Sequence, residues 1–202
     1  MIGVIDYGAS NLQSVAHALA HLQVEARLVR APGELDGLRA ILLPGVGAFG
    51  AGMDQLRAAG FEEPIRRLAA AGVPLLGICL GMQFLFDISE EMGEHRGLGL
   101  LPGRVVRFPN GALKVPHMGW NQLHRVQDSP LLDGVPDGGY AYFVHSYYVQ
   151  AQRPEDVLAQ TDYGLDFPSV VGRANVFGVQ FHPEKSQQVG LRILQNFVEM
   201  AV

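Results

Sequence analysis

The sequence predicts an α/β protein with three layers, in which an open, mostly parallel sheet carries helices on both faces. Short apolar segments alternate with helical patterns through the first half of the chain, as in strands joined by crossover helices. The segment 75–78 is apolar throughout, as expected of a parallel strand that is covered on both faces. After about Gly97, strand-like segments follow one another with few helices, which predicts antiparallel additions to the same sheet or a small second sheet.

The first half of the chain is expected to contain four strands and four helices. The strands are predicted at 2–5, 26–29, 40–43 and 73–78, and Pro44 is expected to stop the third. Ser10 can cap the first helix, because Gln13 three residues later completes a capping box, and apolar residues then recur at helical spacing. The other helices are predicted at 53–59, 64–71 and 80–88, with Pro64 suited to a first turn.

The second half is expected to be rich in strands and to close with a helix. Strand-like segments lie at 103–108, 121–126, 142–149, 157–161, 169–171 and 176–181. The closing helix is predicted at 187–200, with Val189, Ile193, Leu194, Phe197 and Val198 on one face. Since there is no repeat, linker or low-complexity segment, residues 1–202 are expected to form a single domain.

Composition excludes several classes of protein. The 202 residues carry a formal net charge of −5 and no run of Lys or Arg, so a nucleic-acid binder is not expected. No stretch approaches the ~18 apolar residues of a membrane-spanning helix, and the N-terminus does not resemble a signal peptide. Because Cys79 is the single cysteine, neither an internal disulfide nor a thiolate metal cluster is possible, and a cytoplasmic location is the default expectation.

The strongest chemical signal is the run 77–83, Gly-Ile-Cys-Leu-Gly-Met-Gln, where a buried strand is expected to meet a helix. Small residues two positions before and after Cys79 are typical of a nucleophile elbow, a strained turn in which larger side chains would clash. The turn would present the sulfur above the carboxyl edge of the sheet, where open α/β sheets bind ligands, and Leu80 N–H would face a developing oxyanion. A buried structural cysteine is the alternative.

A second signal is His182-Pro183-Glu184, at the end of a predicted strand. Pro183 disfavours helix at His182, and residues i and i+2 of an extended backbone point the same way. Glu184 can therefore accept a hydrogen bond from one ring nitrogen of His182 and leave the other facing outward. With Cys79 this gives a nucleophile, a base and an orienting carboxylate, although the tripeptide alone would also fit a plain turn.

A third signal is Pro44-Gly45-Val46-Gly47, which directly follows another buried strand. Glycines allow backbone conformations that are closed to other residues, so a main-chain N–H here could serve as a second oxyanion donor. An ordinary strand-to-helix turn is the alternative. Together the three signals predict a thiolate that attacks a carbonyl, an imidazolium that protonates a leaving amine, and water that cleaves the thioester. These residues alone leave the amide substrate open.

The pattern Gly77-x-Cys79-x-Gly81-x-Gln83 with His182-x-Glu184 resembles the class I, or triad, glutamine amidotransferases. Three longer runs resemble the glutaminase subunits of imidazole glycerol phosphate synthases, which act in histidine biosynthesis. They are Pro-His-Met-Gly-Trp-Asn at 116–121, Tyr-Phe-Val-His-Ser-Tyr at 142–147 and His-Pro-Glu-Lys-Ser at 182–186. The resemblance covers nearly the whole chain and implies the flavodoxin-like fold of the class I amidotransferases.

The resemblance implies hydrolysis of L-glutamine to glutamate and ammonia, with Cys79 as nucleophile, His182 as general acid and base, and Glu184 as its orienting partner. No metal or cofactor is expected. The substrate pocket is expected to be formed by Gln83, Glu91, Ser146 and Tyr147, with Glu91 at the α-amino group of glutamine. Gly45, Val46 and Gly47 would form an oxyanion strand that in relatives reorients when the partner binds, so the isolated subunit is expected to be nearly idle. Ser146 stands where relatives commonly carry Thr, and Ser10 where they often carry Gly.

The implied partner is a (β/α)8 barrel cyclase subunit, which would form a heterodimer with this chain. The cyclase receives the ammonia and makes imidazole glycerol phosphate and an aminoimidazole carboxamide ribotide. The resemblance places Asn11, Trp120, Tyr142 and Lys185 near the interface. Core packing is the alternative for Trp120 and Tyr142, and a solvated charge is the alternative for Lys185.

Two other functions remain open from the sequence. One is the glutaminase of another class I amidotransferase, such as that of anthranilate or pyridoxal phosphate synthesis. The other is a non-catalytic binding module on the same fold, which predicts an unreactive Cys79. His145 is expected to be a hydrogen-bonded core histidine rather than a pocket residue, and His117 a structural member of its motif.

Overall fold

The computed structural model describes residues 1–8, 12–111 and 113–201. Within them the helices are α1 (Leu12–His21), α2 (Phe49–Ala58), α3 (Glu62–Ala70), α4 (Leu80–Phe84) and α5 (Gln187–Glu199). The strands are β1 (Ile2–Ile5), β2 (Ala26–Val29), β3 (Ala40–Gly45), β4 (Leu75–Cys79), β5 (Phe86–Ser89), β6 (His95–Arg96), β7 (Leu101–Arg107), β8 (His117–Arg125), β9 (Gly139–His145), β10 (Tyr147–Ala151), β11 (Val157–Asp162), β12 (Asp166–Arg173) and β13 (Val176–Val179). The expected cap at Ser10 and the interface residue Asn11 lie outside the described residues.

The main sheet has nine strands in the order β2-β1-β3-β4-β13-β12-β11-β8-β9. The first five are parallel to one another, and each later pair is antiparallel. A second sheet has the order β10-β7-β5-β6. The predicted α/β fold is thus confirmed, and the second half supplies both antiparallel additions to the main sheet and a small second sheet.

Two apolar cores lie on opposite faces of the parallel strands. One contains Val15 and Leu19 of α1 together with Ile193, Leu194 and Phe197 of α5. The other contains Phe49 and Met53 of α2 together with Ile65 and Ala69 of α3. All five residues of β4 are buried, as expected of a strand covered on both faces. The three-layer arrangement follows, and it leaves the carboxyl ends of β3, β4 and β13 side by side.

The structure corrects three element predictions. The helix predicted at 80–88 ends at Phe84, and residues 86–89 form β5, because they pair with β7 in the second sheet. The strand predicted at 142–149 is two strands, β9 and β10, which pair with β8 and β7 in different sheets and separate at Ser146. Strand β3 continues through Pro44 to Gly45, since its pairing with β1 ends at Leu42 and only one neighbour remains there.

A fourth difference concerns the start of α2. The sequence predicted this helix from residue 53, but it begins at Phe49. The preceding residue, Ala48, makes no side-chain cap, and the first backbone N–H is instead bound by the carboxylate of Glu91 at 2.7 Å. Because the capping group lies 42 residues away, no local pattern announces the helix start. Among the described residues no helix is long and apolar enough to cross a membrane.

Close packing at Gly190 gives a first testable prediction. A methyl group at this position of α5 would lie 1.9 Å from the carbonyl oxygen of Pro183, in the turn that follows β13. We expect Gly190→Ala to lower the free energy of unfolding by roughly 1–3 kcal/mol, because backbone must move to admit the methyl. Gly33→Ala is the matched control, since an added methyl there meets no atom within 4 Å. Equal urea midpoints for the two variants would contradict this packing.

Candidate active site

The chain makes a strained turn where β4 meets α4. Cys79 has φ 55° and ψ −112°, in the left-handed half of backbone space that residues other than glycine rarely adopt. A methyl on Gly81 would lie 1.7 Å from the carbonyl oxygen of Leu43, and one on Gly77 would lie 2.5 Å from that of Gly81. Side chains larger than hydrogen are therefore excluded on both sides of the cysteine. The predicted elbow geometry is confirmed.

The parallel register brings the three signal segments to one edge of the sheet. Gly45 of β3 lies opposite Cys79 of β4, and Ile78 of β4 lies opposite Val179 of β13. His182 follows β13 after two residues, and its imidazole lies close enough to Cys79 for the sulfur to raise the pKa of the ring. Neighbouring parallel strands that end at the same level thus place the sulfur and the imidazole together.

Glu184 holds the far side of the imidazole. His182 has extended backbone, with φ −95° and ψ 98°, as predicted, and the next three residues form a 3-10 turn. From this turn Glu184 Oε1 accepts a hydrogen bond from His182 Nδ1 at 2.9 Å. The glutamate side chain is 1 % exposed and that of the histidine 8 %. The three groups therefore form a buried chain that runs from carboxylate to imidazole to sulfur.

Contacts with Glu184 and Cys79 stabilise a positive charge on His182. Burial alone would disfavour an imidazolium, but the hydrogen bonds to Cys79 and Glu184 and their negative charges outweigh it. The pKa of His182 rises from 6.5 to about 10. The favoured state near neutral pH is thus a protonated ring, which can deliver a proton to a leaving group.

A pocket of about 250 Å³ opens above the sulfur. It is lined by Gly47, Cys79, Leu80, Gln83, Glu91, Pro116, Val144, His145, Ser146 and Tyr147. Cys79 is 7 % exposed overall and lies at the floor of this pocket, so its sulfur is reachable by a small molecule. Within the described part of the chain no group of three or more His, Cys, Asp or Glu side chains is arranged to hold a metal ion.

All four residues predicted to bind substrate line this pocket. Gln83 is nearly buried and donates from Nε2 to the Tyr147 carbonyl and to Gln180 Oε1, both at 3.1 Å. Glu91 uses one carboxylate oxygen to bind Phe49 N–H at the start of α2. Ser146 lies at the break between β9 and β10, and its carbonyl accepts a hydrogen bond from Phe108 N–H at 3.0 Å.

The predicted oxyanion donors lie around the same opening. Leu80 and Gly47 line the pocket, and Gly47 has φ +98°, a conformation that favours glycine. Gly45 is the last residue of β3, and Val46 beyond it is 41 % exposed. Neither Val46 N–H nor Gly47 N–H donates a hydrogen bond to another described residue. Within the described part of the chain these two backbone donors are therefore available to a ligand.

The predicted interface residues within the described ranges lie in or beside residues 182–186, a segment called the catalytic turn after the roles predicted for His182 and Glu184. Trp120 of β8 is 47 % exposed, and its ring meets that of Tyr142 of β9 edge to face at 5.9 Å. The backbone of Tyr142 is held by the catalytic turn, since its carbonyl accepts from His182 N–H and its N–H donates to Ser186 Oγ, both at 2.9 Å. Lys185 lies in that turn, exposed. It pairs with no acidic side chain in the described part of the chain.

Sequence reasoning assigned no role to several polar residues that the structure places at the site. Gln180 is fully buried, and its Nε2 lies 3.9 Å from Cys79 Sγ. The sequence feature that could have identified it is a polar residue at the end of an otherwise apolar strand. Tyr7 is buried with its hydroxyl against Gly45 and without a partner among the described residues. Burial and the neighbouring Cys79 raise the pKa of Tyr7. His145, expected to be a hydrogen-bonded core histidine, is hydrogen-bonded and also lines the pocket.

Comparisons with known proteins agree with this geometry. The family model described as "Glutamine amidotransferase class-I" matches residues 3–201. Two curated relatives are each named "Imidazole glycerol phosphate synthase subunit HisH". The protein of Desulfitobacterium hafniense strain Y51 is 55 % identical over 197 residues, 98 % of this chain and 93 % of the relative. That of Geobacillus thermodenitrificans strain NG80-2 is 55 % identical over 203 residues, 98 % and 95 % of the two chains.

Solved structures show the same fold. A crystal structure titled as a glutamine amidotransferase has a TM-score of 0.79 and 26 % identity, covering 99 % of this chain and 98 % of its own. A chain in the structure titled "PurLQS from Thermotoga maritima" has a TM-score of 0.78 at 21 % identity, covers 100 % of this chain and 98 % of its own, and supports the fold alone. The chain belongs to the class I glutamine amidotransferase family and, within it, to the family of imidazole glycerol phosphate synthase subunit HisH.

Proposed function

We propose that this chain is the glutaminase subunit of an imidazole glycerol phosphate synthase, hydrolysing L-glutamine to glutamate and ammonia for histidine biosynthesis. The observation that carries the proposal is the buried arrangement of Glu184, His182 and Cys79, with Cys79 at the floor of a pocket of about 250 Å³. The names of the curated relatives support the choice of synthase. Residues 1–202 would act as one domain, and the cytoplasmic location remains a prediction of the sequence.

The proposed reaction begins with attack by Cys79 Sγ on the carboxamide carbon of glutamine. His182, protonated and held by Glu184, gives its proton to the departing nitrogen, so that ammonia leaves and a thioester remains on Cys79. Water then loses a proton to His182, attacks the thioester carbon and releases glutamate, and the sulfur recovers its initial state. Leu80 N–H and a backbone donor from 45–47 would stabilise the oxyanion in both steps.

The pocket residues would select glutamine by its amino-acid end. Glu91 would bind the α-ammonium group with the carboxylate oxygen that does not cap α2. Gln83 Nε2 donates both of its hydrogen bonds to protein groups. The amide oxygen of Gln83 is therefore the atom that would bind substrate. Ser146 and Tyr147 would form the opposite wall. A pocket of about 250 Å³ suits a free amino acid rather than a peptide.

The partner would be a (β/α)8 barrel cyclase subunit that receives the ammonia and forms a heterodimer with this chain. Relatives named as a synthase subunit imply a complex, and the exposed Trp120–Tyr142 pair beside the catalytic turn offers an aromatic anchor. Lys185 would pair with a carboxylate of the cyclase. Asn11 is proposed for the same interface on the resemblance alone.

The nucleophile assignment predicts a selective loss in the Cys79→Ala variant. With the cyclase subunit present, glutamine-dependent product formation should fall to background, because no thioester can form. The same complex supplied with ammonium salt should keep its synthase rate, which serves as the control for folding and assembly. Retained glutamine-dependent turnover would remove Cys79 as nucleophile. Stimulation of ammonia release by an anthranilate or pyridoxal phosphate synthase partner, and not by the cyclase, would favour those alternatives.

The raised pKa of His182 predicts a pH-dependent role for Glu184 in stability. A folded-state pKa of about 10 against 6.5 means that the charged ring stabilises the fold fully below about pH 6.5 and loses this effect as pH rises through 10. Glu184→Gln removes the partner charge, so the gap in unfolding free energy to wild type should be largest near pH 6 and shrink toward pH 10. Urea titrations at several pH values measure it, with the exposed Glu25→Gln as control. A gap that is constant with pH contradicts the assignment.

The proposed interface predicts that Trp120→Ala weakens the complex with the cyclase about 30-fold, as expected of an aromatic anchor worth about 2 kcal/mol. Titration calorimetry or surface binding measures the dissociation constant. Val126→Ala is the control, because Val126 is similarly exposed, at 51 %, but lies beyond the end of β8. If both variants bind as wild type does, Trp120 does not anchor the partner.

A further inference from the structure

Two buried histidines outside the catalytic triad are joined by a hydrogen bond. His117 Nδ1 and His145 Nε2 lie 3.0 Å apart, where β8 and β9 pair these two residues directly. The other nitrogen of His145 contacts the Tyr147 carbonyl at 2.8 Å. The other nitrogen of His117 contacts Asn121 Nδ2 at 3.3 Å. All four ring nitrogens thus have partners, and the pair bridges β8 to the pocket wall.

The partners fix the direction of every hydrogen bond that the two histidine rings make. A carbonyl only accepts, so His145 Nδ1 must carry a proton, and in a neutral ring His145 Nε2 must then accept from His117 Nδ1–H. His117 Nε2 is left to accept from Asn121. The asparagine is oriented for this, since its Nδ2 also donates to the Asp162 carbonyl at 2.8 Å and its Oδ1 accepts from Gln122 N–H. Each link is consistent with both rings being neutral Nδ1–H tautomers.

Burial keeps both rings neutral. It lowers the pKa of His117 to about 4. It also lowers the pKa of His145 to about 3, although the hydrogen bond to the Tyr147 carbonyl raises it, and the positive charge of His182 adds to the lowering. The pair therefore keeps one arrangement throughout the neutral range.

The series of side-chain contacts continues from the Tyr147 carbonyl to Cys79. The same oxygen accepts from Gln83 Nε2 at 3.1 Å, and Gln83 Nε2 also donates to Gln180 Oε1 at 3.1 Å. The amide nitrogen of Gln180 lies 3.9 Å from Cys79 Sγ. His145 and Gln83 thus both donate to one carbonyl, and Gln83 itself lines the pocket.

We infer that His117 and His145 are positioning residues of the substrate pocket: as a neutral pair they hold the Tyr147 carbonyl and, through it, orient Gln83 to receive glutamine. This inference rests on the proposed glutaminase function. The rings also pack in an aromatic cluster, where His117 stacks on Tyr163 with centroids 4.0 Å apart and on Phe143 at 4.9 Å. A hydrocarbon ring would fill that space equally well, so the hydrogen bonds are what histidine adds.

Nitrogen NMR of the unmodified protein tests the chain without reference to catalysis. With ¹⁵N-labelled histidine at pH 7, His117 and His145 should each show one protonated Nδ1 and one unprotonated Nε2. An Nε2–H tautomer or an imidazolium at either residue overturns the inference. Because no glutamine is present, this outcome is independent of whether Cys79→Ala abolishes glutaminase activity, so failure of the inference and failure of the proposed function are distinguishable.

Glutaminase kinetics of the complex with the cyclase test the positioning role. His145→Asn places an amide nitrogen where Nδ1 lies and keeps a donor for Tyr147, whereas His145→Leu fills the space without one. We expect KM for glutamine to rise about fivefold to tenfold in His145→Leu, with kcat changed less than about twofold, and to return to within about twofold of wild type in His145→Asn.

His124→Asn is the matched control, since His124 is an exposed histidine on β8 and should leave both constants unchanged. Thermal midpoints of all variants show whether any loss follows stability. Equal KM values for His145→Asn and His145→Leu, or a loss confined to kcat, overturn the inference. If His145→Leu does not fold, the NMR tautomers decide the question.

Discussion

The site depends on the tight turn that carries Cys79 out of β4. A left-handed conformation at a non-glycine residue costs about 1–3 kcal/mol and persists only where the surroundings leave no alternative. Here β4 is buried over its whole length between β3 and β13, and the helix after the turn packs against β3 so closely that Gly81 has no room for a side chain. The energy stored at Cys79 is thus balanced by apolar burial on both faces of the sheet. The strained turn holds the sulfur above the edge of the sheet at which β3, β4 and β13 end.

The chemistry of the triad could be predicted because it is local in sequence. Glycines at −2 and +2 are required by atoms within the same turn, and His182 and Glu184 reach each other over two residues. The parallel order then needed only strands of similar length to bring both segments together. By contrast, the substrate wall forms where β9 and β10 separate into different sheets, which depends on pairing with β8 and β7. No pattern within 142–149 distinguishes one strand from two.

The helix predicted at 80–88 fails for the same reason. Apolar residues at 84–86 suit a helix and a strand equally. Residues from 86 onward form a strand because they pair with β7, which begins fifteen residues downstream. The start of α2 was missed because its cap is the distant carboxylate of Glu91. Glu91 also lines the pocket, so the residue that caps this helix is one of those proposed to bind substrate. Long-range contacts therefore determine the walls of the pocket, which composition and spacing do not predict. The reactive residues at its floor depend on local sequence and could be predicted.

Tyr142 joins the proposed docking surface to the catalytic turn. Its carbonyl holds His182 N–H and its N–H binds Ser186 Oγ, while the Ser186 hydroxyl donates to the His182 carbonyl at 2.6 Å. Its ring meets Trp120 on the exposed face. A displacement of β9 at this residue must move the backbone of His182, because two hydrogen bonds tie Tyr142 to residues 182 and 186 and a third joins these two residues to each other. A partner bound at Trp120 and Tyr142 would therefore act directly on β9, which is hydrogen-bonded to the backbone of His182.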